Sequence, residues 1–188
     1  MNRSFLFFIL FLSSCSAVQI EGGFASPELG GQSFIKDTEN LHHLHGGMGA
    51  VHAIKEFDIG PVGVDIGLGP MFWGSHQGTV YGGEGMARIR FKVSDFFQPY
   101  IVGTAGMGFA SGWEGSDVDY SYTSGLGFGG LLKVKEGVSL TADWRWSHHS
   151  NGMTFLSDSW RDFIGQTKAT RNDGYQNGAV FVGIQVDF

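Results

Sequence analysis

Val180-Phe181-Val182-Gly183-Ile184-Gln185-Val186-Asp187-Phe188 is the stretch whose reading decides the fold. In an extended strand, successive side chains point to opposite faces. Val180, Val182, Ile184, Val186 and Phe188 therefore share one face, opposite Gln185 and Asp187. Repeated in segments of about ten residues, such alternation sends one set of side chains toward lipid and the other toward a lumen.

Similar segments recur upstream. Val138, Leu140, Ala142, Trp144 and Trp146 oppose Ser139, Thr141, Asp143, Arg145 and Ser147. Tyr120, Tyr122, Leu126, Phe128 and Leu132 oppose Ser121, Thr123, Gly125, Gly127, Gly129 and Lys133. Pro99, Ile101, Ala105, Met107 and Phe109 form a third apolar face. Ala87, Ile89, Phe91 and Val93 oppose Arg88, Arg90 and Lys92, and Val62, Val64, Ile66, Leu68 and Phe72 oppose Asp65. Weaker segments cover 47–57 and 18–26. The pattern predicts an all-β protein, an eight-stranded antiparallel transmembrane β-barrel. A soluble barrel would hold its apolar set inside, whereas Arg, Lys and Asp here belong to the opposite set, costly against lipid but able to pair in a lumen. Lumen-side glycines suit so narrow a cylinder. The aromatic final residue behind alternating apolar positions resembles the C-terminal signal read by the outer-membrane assembly machinery.

Composition agrees. The 188 residues include 31 Gly and 17 Phe, with only 16% charged, and no run of some twenty apolar residues predicts a membrane helix. The net charge of −6 argues against a nucleic-acid partner, which needs basic surface. Residues 1–17 read as a signal peptide: Arg3 gives a positive start, and Phe5–Leu12 is an apolar run too short to span a bilayer. Two processing readings stand. A cut beside the small residues Cys15-Ser16-Ala17 leaves a single barrel domain, 18–188; Leu12-Ser13-Ser14-Cys15 also fits a lipobox, which would leave a lipidated Cys15. Either sends the chain out of the cytoplasm.

An even strand number puts both termini on the periplasmic side, so the strand before the last runs outward and ends near Asn151. Trp144, Trp146, His148 and Ser150 keep the lipid-facing parity there, while His149 falls on the lumen side. Residues two apart on a strand are roughly 6.6 Å apart along the backbone and project from one face. An imidazole can thus lean on a hydroxyl, the base–nucleophile contact that activates serine. Placement in the headgroup girdle, where polar groups cost little, is the plain alternative.

Arg145-Trp146-Ser147-His148-His149-Ser150-Asn151-Gly152, followed by Asn172-Asp173-Gly174, resembles the signature of the PagL-type lipid A 3-O-deacylases, also called acyloxyacyl hydrolases. The resemblance extends through Gln98-Pro99-Tyr100-Ile101 and the glycines of 125–130, covering roughly 95–188; the N-terminal half matches only in strand pattern. It implies an outer-membrane serine esterase that removes the 3-linked 3-hydroxyacyl chain of lipid A, with no metal cofactor and with its site on the barrel's exterior. It further implies Ser150 as nucleophile and His148 as general base. The position of the family's acid, usually glutamate, is held here by Gln176. An amide can orient the imidazole without stabilising its charge, and Asp173 is an alternative carboxylate. Asn151, the backbone of Gly152 and Asn172 are oxyanion or substrate-binding candidates; Asn172-Asp173-Gly174 is equally suited to a turn. Trp144 and Trp146 suit either a groove floor or an interfacial belt.

The connection between Asn151 and Asn172 is longer than the family leads one to expect. Leu156, Trp160, Phe163 and Ile164 recur in it at helical spacing behind Ser157 or Asp158, fitting a segment over the site or one in the lumen mouth. Arg161, Lys168 and Arg171 suit lipid A phosphates, or simply solvent. His42, His43, His45 and His52 lack the carboxylate or cysteine spacing of a defined metal site. The expected partner is lipopolysaccharide in the outer leaflet; a homodimer is left open.

Overall fold

A computed structural model describes residues 14–26, 29, 46–75, 78–111, 120–151 and 174–188. Eight strands form one closed antiparallel barrel: β1 (Ala17–Ser26), β2 (Gly46–Ile59), β3 (Val62–Ser75), β4 (Gly78–Phe91), β5 (Phe97–Ser111), β6 (Tyr120–Lys135), β7 (Val138–Asn151) and β8 (Gly174–Asp187). Each strand pairs with its chain neighbours, and β1 closes on β8 from Ala17↔Asp187 to Ser26↔Gly178. Closure leaves no unpaired sheet edge, which a bilayer would not tolerate.

The two ends differ. At the end where β1 begins and β8 finishes, the connections are short. Gly60 and Gly137 take φ of +60° and +69° in two of them, a left-handed conformation that favours glycine. The third is held by Ser94, whose hydroxyl accepts from Phe97 N at 3.0 Å and donates to Phe97 O at 3.1 Å. At the opposite end the chain between β1 and β2 and between β7 and β8 is far longer. β1 thus begins and β8 finishes at the short-turn end, as an even strand number requires.

The walls follow the expected parity. Leu126, Phe128, Val182 and Ile184 stand exposed on the outside, where each apolar side chain would forfeit about 1.5–3 kcal/mol in water. Arg88, Arg90, Arg145, Asp65 and Asp143 are buried inside. This inversion of a soluble barrel is what lipid outside and a packed polar lumen require. The lumen also holds large side chains, among them Trp73, Ile54 and Leu131. Glycine makes that crowding feasible: a Cβ on Gly127 would run into the carbonyl of Trp144 and lie 2.9 Å from Arg145 Cγ. The lumen-side glycines thus make room for bulky neighbours as well as narrowing the cylinder. The strand ranges differ modestly from expectation, since β1 starts at Ala17 and β2 continues to Ile59.

Candidate functional site

The sequence-derived site lies at the long-loop end of β7 and β8. Backbone register sets His148 opposite Gln176, His149 opposite Tyr175 and Ser150 opposite Gly174. On the other flank, Ser124 faces His148 and Tyr122 faces Ser150. His148, Ser150 and Gln176 continue the even-numbered series of their strands, whose members Leu140, Trp146, Val180 and Val182 are exposed on the outer wall. Asn151 ends β7, paired with Ser121. The side chains of 148–151 and 174–177 are outside the described residues, as are Gly152, Asn172, Asp173 and the whole 153–171 connection.

The wall just below is described in detail. Phe128 and Trp144 pack with ring centroids 5.6 Å apart, and Trp146 is exposed beside them. Leu29, from the chain between β1 and β2, lies over this part of the exterior. Trp144 Nε1 donates to its carbonyl oxygen at 3.0 Å, and a Cβ on Gly178 would overlap the same carbonyl. Gly178 pairs with Trp146, two positions below the His148–Gln176 pair. Sequence reading missed Leu29, because nothing in its local pattern tells which wall a long connection will touch.

Inside the same strand, Arg145 anchors the lumen. Its guanidinium donates to both oxygens of Glu21 at 2.7 Å and to Asp143 at 2.6 and 3.1 Å. Tyr100 OH donates to Asp143 Oδ2 at 2.8 Å, and the guanidinium carbon stands 4.1 Å from the Phe181 ring centroid. A second knot joins Asp65 to Arg88 Nε and Arg90 Nη2, each at 2.7 Å. Gln19 receives from Arg88 at 2.9 Å and Gln98 from Arg90 at 2.8 Å. Such charge-assisted, bidentate contacts fix side chains in narrow geometry, and Arg145 ties β7 to β1 in this way.

His52 belongs to the lumen. It is fully buried, with Nε2 3.2 Å from Glu84 Oε1, whereas His42, His43 and His45 are outside the described residues. No carboxylate spacing around His52 shows in the sequence, but the fold brings Glu21 from β1 and Glu84 from β4 close to it. Spacing along the chain cannot show this.

No protein-family model matches the chain, and no curated protein matches it. Among solved structures it is similar to Neisserial surface protein A, NspA, at 17% identity and a TM-score of 0.58, covering 92% of this chain and 96% of that one. It is also similar to Ail, the attachment invasion locus protein of Yersinia pestis, at 14% identity and a TM-score of 0.47, covering 92% and 99%. At 17% identity the likeness to Neisserial surface protein A concerns the fold alone.

Proposed function

We propose that this chain is an outer-membrane esterase of Gram-negative bacteria that hydrolyses the 3-O-linked 3-hydroxyacyl chain of lipid A. The observation that carries the reading is the cross-strand pair His148↔Gln176, with Ser150 two residues along the same strand. A serine, a histidine and an amide in the place of the usual acid thus hold neighbouring backbone positions, on the parity of the lipid-facing wall. The resemblance of 145–152 and 172–174 to the PagL-type deacylases supplies the substrate.

In the proposed reaction, Ser150 Oγ attacks the ester carbonyl carbon as His148 takes its proton. The tetrahedral oxyanion draws on donors around Asn151 and Gly152. Collapse breaks the bond to the sugar 3-oxygen, which leaves with the proton from His148. Water, deprotonated by His148, then attacks the acyl-enzyme, releasing the 3-hydroxy acid and free Ser150. The Gln176 side-chain oxygen accepts the other imidazole N–H and fixes the tautomer. The bilayer itself holds the acyl chain against the apolar wall near Trp146.

Production in a Gram-negative host whose lipid A is fully acylated tests the reading. The expected outcome is a lipid A population lighter by one 3-hydroxyacyl group, absent with Ser150→Ala and with His148→Ala. An unaltered lipid A profile with folded wild-type protein in the outer membrane counts against it.

A second reading is a non-enzymatic barrel with a structural or surface-binding role. The amide at Gln176 favours it, because a neutral group cannot stabilise an imidazolium by charge. The fold shared with Neisserial surface protein A fits it equally.

A further inference from the structure

The lumen carries a charge imbalance at one place. Its buried carboxylates are Glu21, Asp65, Glu84 and Asp143, against three guanidiniums, Arg88, Arg90 and Arg145. Asp65 is held by Arg88 and Arg90, and Glu21 and Asp143 by Arg145. Glu84 has no guanidinium among the described residues; its charged-group contact is with His52. An ionised carboxylate buried without a cation is strongly unfavourable.

His52 shares the problem. It is fully buried, and neither ring nitrogen has a hydrogen-bond partner among the described residues. Nε2 lies 3.2 Å from Glu84 Oε1 without the alignment of a hydrogen bond. A buried imidazole ordinarily has at least one nitrogen satisfied.

The geometry points to a divalent transition-metal site in the lumen, formed by Glu21, His52 and Glu84, which a zinc ion would occupy. One ligand atom from each residue lies within 4.8 Å of the others. Ligand atoms about 2.0–2.2 Å from a tetrahedral zinc ion stand about 3.3–3.6 Å apart, so side-chain shifts of at most about 0.8 Å apiece bring all three onto one ion. Glu21 remains able to ligate. Among the described residues its Oε1 accepts from Arg145 Nη1, while Oε2 takes Arg145 Nη2 and Gln19 Nε2, leaving a lone pair on Oε1.

The backbone accommodates the meeting. Gly69 pairs with Glu84 in the β3–β4 ladder, and β3 lies between the strands of His52 and Glu84. A Cβ on Gly69 would overlap the Val51 carbonyl, and one on Gly67 would press on His52 Cβ at 3.2 Å. Small residues on β3 thus leave room for a histidine from β2 and a glutamate from β4 to meet across it. One imidazole with two carboxylates suits zinc and its first-row neighbours. The ion would supply the positive charge that Glu84 otherwise lacks. This inference rests on no part of the deacylase reading.

The test is to refold the full chain in detergent with Zn²⁺, remove loose metal with a chelator, and measure zinc per chain by elemental analysis. About one equivalent is expected, released to the chelator only on unfolding because the lumen shields it. His52→Asn and Glu84→Gln are each expected to lower retention at least tenfold, with the folded state checked by heat-shifted electrophoretic mobility. The double substitution of His43 and His45 by alanine is expected to leave retention unchanged. Zinc that the wild type fails to retain, or that folded Glu84→Gln or His52→Asn retains equally, overturns the assignment. Should both variants fail to fold, zinc lost from the intact wild type within minutes overturns it, and retention until unfolding sustains it.

Discussion

Arg145 and Glu21, 124 residues apart in the chain, meet fork to fork across the lumen, Nη1 to Oε1 and Nη2 to Oε2 at 2.7 Å each. Arg145 also holds Asp143 on its own strand, so one guanidinium joins β1 to β7. The alternating pattern puts Arg145 on the polar face; only closure of the sheet brings Glu21 to it.

Removing that cation leaves two carboxylates buried without their partner. Arg145→Met is expected to destabilise the barrel by about 3–5 kcal/mol, the usual cost of breaking a buried ion pair from one side. Urea unfolding in lipid vesicles reads this as a lowered midpoint. A midpoint equal to wild type would show that the lumen network does not support the fold.

The first strand reaches further toward the N-terminus than its apolar pattern suggests. Ser16 N donates to Ile54 O at 2.8 Å and Phe188 N donates to Ser16 O at 2.9 Å, while Ser16 Oγ accepts from Glu56 N at 2.9 Å. At about 0.5–1.5 kcal/mol for each hydrogen bond, a chain begun at Val18 is expected to be less stable than one begun at Cys15. The same unfolding assay checks this, and equal midpoints would contradict it.

How far the sequence discloses this molecule differs from strand to strand. In β7, β8 and the part of β4 from Ala87 on, charged or polar residues alternate with apolar ones, so parity, strand direction and the outward series are legible. In β2, Gly46, Gly47, Gly49, Ala50 and Ala53 carry too little contrast to mark a face, and its end at Ile59 is set by the turn at Gly60. The pairing of His148 with Gln176 is foreseeable, because the two strands are consecutive. The meeting of Glu21, His52 and Glu84 is not, since it depends on register across four strands. Nor does any local pattern announce Leu29 on the outer wall of β7 and β8.

The amide across from His148 gives a directed prediction. Under the proposed mechanism, Gln176→Glu adds charge stabilisation to an imidazolium already oriented, so deacylation is expected to proceed at the same rate or faster. Gln176→Ala removes the acceptor and is expected to slow the reaction by at least tenfold. The measurement is the initial rate of fatty-acid release by each purified variant. A marked fall with Gln176→Glu would mean that the amide serves some purpose other than holding the imidazole.

The most direct measurement of the central claim uses purified, folded protein and lipopolysaccharide in mixed micelles, with lipid A and the released acids identified by mass spectrometry. The expected result is loss of a single 3-O-linked chain, recovered as one equivalent of free 3-hydroxy fatty acid, and abolished by Ser150→Ala. Lipid A left intact by a verified folded barrel, or cleavage that persists undiminished in Ser150→Ala, would contradict it.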